Sequence, residues 1–273
     1  MRTLIEQVNT IQAYLRENAR RQYEMVPLAP FSLFFHPSDP FIYFNYAIPD
    51  FPTTGDPSLK IVLNHLSVEF RRRGRIPRFE FLLDYAPILP SILLDAGFHE
   101  TDRQWNMICS PADLQPPVQV PEIEVVRLHP ESATADVRDY IIAQRQGFNP
   151  SDNFSPDEGA IRQARLDFLV GGWQAYLARI SGEPAAAAAF GRIIAGVSEL
   201  AGIATRVPFR QRGIATYLTW LATSDAFNDG AQTTCLTAAD SNAGRIYEHI
   251  GYKPFATMLS FSLPEAYDRP ITP

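Results

Sequence analysis

Cysteine is nearly absent. Two thiols, Cys109 and Cys235, in 273 residues exclude a disulfide framework, and their spacing fits no zinc site. Both read as small apolar core residues. Long apolar runs are missing too: the stretch over 184–190 falls far short of the roughly 18 residues needed to span a bilayer. No apolar block or small-residue cleavage site follows Arg2 and Glu6, so the expectation is a soluble, cytoplasmic chain with no membrane partner. Nor is there a surplus of positive charge. Against 24 Lys and Arg stand 30 Asp and Glu, a formal charge of -6, and nothing global draws the chain to nucleic acid. The cluster Arg71, Arg72, Arg73, Arg75 and Arg78 is read as a cationic helix end capped by Gly74. The histidines His36, His65, His99, His129 and His249 have no metal-ligand spacing, and no metal is expected.

What is present is core material: 46% hydrophobic and 20% charged residues suffice for one or two globular domains. Residues 110–122 carry four prolines, which remove backbone donors and oppose helix, and form the best linker in the chain. Upstream, apolar periodicity predicts a helix over 4–21, strands over 31–35 and 41–48, a helix over 59–70, a strand over 78–84, a helix over 87–96 and a strand from Phe98. Downstream it predicts a strand over 123–128, helices over 133–146 and 156–170, and strands over 173–180, 185–193 and 197–206. A helix over 214–228, a strand over 233–237, a helix over 241–249 and a strand pair over 252–263 follow. The alanine run 185–189 favours helix by propensity, but Gly182 and Gly196 leave room only for a hairpin arm. The division expected is therefore a first domain over 1–112, a linker over 113–122 and a second domain over 123–273. The two halves echo one another. Eighteen positions separate Phe79 from Gly97 and Thr233 from Gly251, which sets Leu93 opposite Tyr247 and Gly97-Phe98 opposite Gly251-Tyr252. Glycine after a helix is common, so two unrelated units would look similar.

The chemistry concentrates after the strand that ends near Arg206. Arg210-Gln211-Arg212-Gly213-Ile214-Ala215 opens a helix, where free N–H groups and the macrodipole attract an anion and small side chains leave room for a phosphate. Arg206, Arg210 and Arg212 add three cations within seven residues. The loop is neither a Walker loop nor a Gly-x-Gly-x-x-Gly turn, and taken alone it could equally be a solvated helix start.

The Arg-x-x-Gly-x-Ala loop after a strand, followed about thirty residues later by Asp240-Ser-Asn-Ala-Gly-Arg-Ile-Tyr-Glu-His-Ile-Gly-Tyr252, resembles the GNAT superfamily of N-acetyltransferases over about residues 123–263. The resemblance implies an α+β fold of tandem GNAT-like domains, each a mixed, mostly antiparallel central sheet flanked by helices. It implies acetyl-CoA as co-substrate, its diphosphate cradled by Arg210, Gln211, Arg212, Gly213, Ile214, Ala215 and Thr216. Backbone N–H groups around Ile203, Ala204 and Thr205 would reach the pantetheine and thioester carbonyl, and Tyr247 would lie near the sulfur. Asp240 stands where many relatives have Asn, a role Asn242 could take over. The first half has Thr54-Gly-Asp-Pro-Ser58 in place of the phosphate loop and Leu93 in place of the tyrosine, so it reads as a degenerate domain without a working site.

Acetyl transfer to an amine requires a base, an oxyanion site and an acid. Glu199 lies on the strand entering the loop, and period-two alternation puts it on one face with Ala201, Ile203 and Thr205. An exposed or ion-paired carboxylate is the plain alternative, because a bulge would reverse the alternation. Tyr247 can donate a proton to the departing thiolate or serve only as an amphipathic core tyrosine. The amine, on a small molecule or peptide, would meet Phe148, Asp152, Phe154 and Asp157 between the first two helices of the second half, together with the stretch after Tyr252. A catalytically silent acyl-CoA sensor is the competing class. Neither the acceptor nor the oligomeric state, a homodimer included, is legible in the residues.

Overall fold

The computed structural model describes residues 3–37, 39–52, 58–117, 123–169 and 171–263. The chain forms two compact units: one runs to Asn106 and resumes at Phe255, and the other covers Met107–Pro254. The crossing points fall inside strands, so the sequence boundary at 113–122 lies within the second unit. Of that stretch, residues 118–122 are outside the described residues, as are residues 54–57 of the degenerate loop.

The first unit begins with α1 (Leu4–Gln22), whose entry is a capping box: Thr3 Oγ1 accepts from Glu6 N, and Glu6 Oε2 accepts from Thr3 N. Then come β1 (Glu24–Leu28), β2 (Phe31–Phe35), β3 (Asn45–Pro49), α2 (Leu59–Arg72), β4 (Arg78–Leu82), α3 (Leu89–Asp95) and β5 (His99–Cys109). Its sheet order is β1-β2-β3-β4-β11-β5, where β11 (Lys253–Ser262) is the last strand of the chain. The sequence does not signal β1, because Pro27 interrupts it, and the structure places it at the sheet edge, where a missing donor is tolerated. The expected strand over 41–48 starts as a 3-10 turn, Ile42–Phe44. Phe79 and Phe81 of β4, with Leu259 and Phe261 of β11, pack on Leu63, Leu66 and Phe70 of α2 and Leu93 of α3. These residues alternate along their strands, so the other sheet face receives Arg78, Glu80 and Ser260.

The arginine cluster is largely occupied with its own fold. Arg72 pairs with Glu69, and Arg73 pairs with Glu69 and Glu24 while lying over Phe35. Arg75 donates to Asn45 Oδ1. Arg78, only 2% exposed, binds Glu80 at 2.9 Å and reaches Asp102 and Ser260. Arg78→Ala would leave two carboxylates facing a cavity, and we expect a loss of roughly 3–5 kcal/mol, read by urea denaturation. A cost under 1 kcal/mol would mean that water already screens the group.

The second unit holds β6 (Glu124–Leu128), α4 (Thr134–Phe148), α5 (Glu158–Leu169), β7 (Gln174–Ile180), β8 (Glu183–Phe190), β9 (Val197–Thr205), α6 (Ile214–Asn228), β10 (Thr233–Ala238) and α7 (Ser241–Glu248). Strands run in the order β10-β9-β8-β7-β6. The meander β6 to β9 is antiparallel, and β10 joins β9 in parallel. The alanine run lies in β8. Ala186 and Ala188 face the core shared with α6, while Ala187 and Ala189 face the core shared with α4 and α5. A strand buried on both faces explains why tertiary burial overrides helix propensity here. The strand pair expected over 252–263 is a single strand, β11, which leaves the second unit at Pro254 and pairs antiparallel with β4 over Met258–Ser262.

The internal echo extends to hydrogen bonds. Gly97 and Gly251 both have left-handed φ, +87° and +103°. Phe98 N donates to Leu93 O at 2.9 Å, and Tyr252 N donates to Tyr247 O at 3.1 Å, the same helix-ending bond in each unit. Their surroundings differ. Asp113 and Leu114 lie against Gly251, whereas Gly97 borders a cavity of about 420 Å³ lined by Asn64, Ser67, Val68, Arg71 and Leu263.

Candidate active site

Parallel pairing of β9 with β10 covers only Val197–Glu199 against Thr233–Cys235. Beyond Glu199 the two strands part, while β9 stays paired with β8 as far as Thr205 opposite Ala186. Alternate main-chain groups of residues 200–205 therefore line a cleft that opens from Glu199. Within this stretch Ala201 pairs with Ala189 and Ala204 with Ala187, so Gly202 and Ile203 together oppose Ala188 as a bulge. Gly202 takes φ +66°, which an L side chain adopts only under strain. A glycine inside a strand pattern is the sequence signal for that bulge.

The bulge corrects the face assignment. Glu199 and Ala201 share a face with Ala204, toward α4, whereas Thr205 falls in phase with Leu200 on the α6 side. Uninterrupted alternation would have put Thr205 beside Glu199. Glu199 sits at the point where the strands separate, opposite Cys235, whose thiol is pushed up by burial and by the Glu199 carboxylate. Thr205 Oγ1 is buried and has no hydrogen-bond partner among the described residues.

After Thr205 the chain makes a 3-10 turn, Val207–Phe209, and enters α6. Gln211 and Gly213 both take left-handed φ, +62° and +74°, the backbone conformation from which anion nests are built. Gly213 is the N-cap of α6 and supplies no side-chain acceptor, which leaves the first-turn N–H groups of Ile214, Ala215 and Thr216 without a side-chain cap. The donor set fits a diphosphate. The three arginines are less alike than their spacing implies. Arg206 donates to Gln146 Oε1 at 2.8 Å and Pro184 O at 2.5 Å. Arg210 donates to Thr205 O at 2.9 Å and Gly147 O at 2.8 Å. Arg212, exposed, donates to Pro208 O at 3.2 Å and lies over the Phe209 ring at 5.8 Å. Nothing in the sequence pairs Gln146 and Gly147 with these arginines, about sixty residues away.

Asp240 is the N-cap of α7. Its Oδ1 accepts from Asn242 N and Ala243 N, both at 2.8 Å, a role Asp fills as well as Asn. Asn242 has its backbone N–H committed there and is itself exposed, so its side-chain amide faces solvent. Tyr247, one helical turn on, is 8% exposed and packs edge-to-face with Tyr252. Burial first, then the Asp240 carboxylate, pushes its phenol up to about 12. The phenol therefore stays protonated at neutral pH. Tyr252 is tied to Thr223 and Thr234 at 2.8 and 3.0 Å and has no freedom to act.

On the α4 side, Phe148 and Phe154 are 65% and 39% exposed. Asp152 is not free for an amine: Arg145 pairs with it at 2.8 Å and lies over the Phe154 ring at 4.2 Å. Asp157 Oδ1 accepts from Ala160 N at the start of α5. Cys109 and Cys235 are both buried and free, and no metal-binding cluster of His, Cys, Asp or Glu occurs among the described residues. No helix among them is long and apolar enough to cross a membrane.

Residues 140–252 match the acetyltransferase (GNAT) family. No curated protein sequence matches the chain. Among solved structures it is similar to a GCN5-related N-acetyltransferase from Kribbella flavida, 23% identical over 94% of this chain and 95% of that one, with a TM-score of 0.77. A GCN5-related N-acetyltransferase from Sphaerobacter thermophilus is 16% identical over 92% of this chain and 84% of its own, with a TM-score of 0.63. A tandem GNAT protein from the clavulanic acid biosynthesis pathway is 10% identical over 85% and 77%, with a TM-score of 0.62. At these identities the structures speak for the fold, α+β and tandem GNAT-like. The family match runs from the middle of α4 to Tyr252, across the elements that build the cleft, and in that stretch the chain carries a domain of the GNAT acetyltransferase family.

Proposed function

We propose that the protein is an acetyl-CoA dependent N-acetyltransferase that moves the acetyl group to a primary amine of a small molecule or peptide by direct attack on the thioester. One observation carries this reading: β9 leaves β10 at Glu199 and ends in the left-handed turn that opens α6. In chain order this stretch supplies a carboxylate, main-chain donors past the point where the strands part, and a turn suited to an anion, which supports the reading. Glu199 accepts the proton of the incoming ammonium, directly or through water. The amine nitrogen then forms the new C–N bond at the carbonyl carbon, and N–H groups around Ile203, Ala204 and Thr205 hold the developing oxyanion. As the C–S bond breaks, the Tyr247 hydroxyl gives its proton to the thiolate, and the proton that the nitrogen sheds on becoming an amide restores the phenol. The turn from Arg210 to Thr216 holds the diphosphate through main-chain amides, and Asn242 offers a side-chain amide at the mouth.

A thermal-shift titration tests the binding half. Acetyl-CoA at a hundred times its Kd is expected to stabilise the protein by about 2.7 kcal/mol. No shift at millimolar ligand overturns the proposal. Mass spectrometry on an amine panel tests the chemistry. Binding with no turnover on any amine would favour the silent sensor, although retention of Tyr247 at the position occupied by Leu93 in the first unit supports catalysis.

A further inference from the structure

We propose that Arg206 and Arg210 are positioning residues for the acceptor amine, and that they do not bind the diphosphate through their side chains. Their guanidinium groups latch the end of α4 to the strand end and turn that form the cofactor side. This rests on the transferase reading above.

The end of α4 touches β9 through backbone rather than side chain. A Cβ on Gly147 would come within 2.6 Å of the Ala204 Cβ and 3.0 Å of Thr205 N. Such close approach is unforgiving of sliding, and two guanidinium groups fix it. Arg210 spans the junction, with Nε on Thr205 O and Nη2 on Gly147 O. Arg206 takes Gln146 Oε1 from the same helical turn and Pro184 O from the start of β8. Immediately beyond lies Phe148, and the helix end is closed by Asn149 N donating to Arg145 O. Arg145 in turn holds Asp152 and Phe154. An unbroken set of contacts thus runs from the phosphate turn to the aromatic loop on the α4 side. If that loop forms the acceptor wall, the latch sets its distance from Glu199, which lies on the same face of β9. Main-chain carbonyls already occupy donors of both arginines, whereas Arg212 makes one long hydrogen bond and lies over the Phe209 ring at 5.8 Å.

Arg206→Lys separates charge from latch, since Arg206 bridges two carbonyl oxygens and precedes the turn that holds the diphosphate. It keeps the positive charge, so attraction of an anion persists, but a single ammonium cannot bridge two carbonyls in fork geometry. The expected result is a KM for the amine raised about tenfold or more, as loss of charge-assisted hydrogen bonds implies, with acetyl-CoA affinity unchanged within about twofold. Hydrogen exchange supplies a readout that needs no turnover: amides over 145–157 should exchange faster in the variant, while those of β7 do not. Weakened acetyl-CoA binding, or an unchanged amine KM, overturns the latch, as does unchanged exchange over 145–157. If the wild type acetylates no amine, faster exchange with intact acetyl-CoA binding leaves the latch standing and removes the transferase reading instead.

Discussion

Tyr247→Phe is expected to lower kcat about a hundredfold with little change in KM for either substrate, the size general-acid catalysis usually contributes. The substitution keeps the ring, and with it the packing on Tyr252, and removes only the hydroxyl. Steady-state kinetics on the most readily acetylated amine reads the effect, and unchanged kcat would assign the proton to water. The pH dependence has a definite sign. The folded phenol sits near 12, above its ordinary value of about 10, so wild-type kcat should show no fall from this group between about pH 7 and 9. Raised in the folded state, the group contributes stability that is fully present below about pH 10 and disappears as pH rises toward 12. Tyr140, Tyr176 and Tyr252 are raised by burial as well and act in the same direction. Alkaline unfolding above about pH 10 should therefore be steep, and a little less so in Tyr247→Phe.

Gly251→Ala is expected to produce the largest loss of stability, roughly 4 kcal/mol or more. Its φ of +103° already strains any L residue, and the added Cβ would fall on the carbonyl of Asp113, in a segment pinned by Gln115 N on Ile250 O at 3.0 Å. Backbone, unlike a flexible side chain, cannot swing aside. For a domain of this size the melting point should drop by about 10 °C. The matching change in the first unit, Gly97→Ala, has similar φ but only the Leu263 Cδ2 at 4.0 Å, and is expected to cost about 1 kcal/mol. Equal losses in the two variants would show that φ alone matters and that the cover over Gly251 yields.

Helices with a wet face and strands near glycine were legible because local periodicity reports burial. α6 and β10 begin where the pattern places them, and α7 ends one residue early, at Glu248. β1 was hidden by Pro27, and its existence depends on an edge that only β2 creates. The order of the site was legible as well, since a turn opening a helix has its own composition. The direction of Thr205 was not, because the bulge at Gly202 is defined by the register against β8.

The residues alone determined the mixed α+β character, the turn that opens α6 and the glycine that ends each αβ unit, because each depends on conformational preferences within a few neighbours. Tertiary structure decided to which unit β11 belongs, where β9 abandons β10, and that Arg206 and Arg210 spend their charge on main-chain carbonyls. Strand partners and the targets of long side chains are chosen across tens of residues, and such choices leave no periodic trace in the sequence.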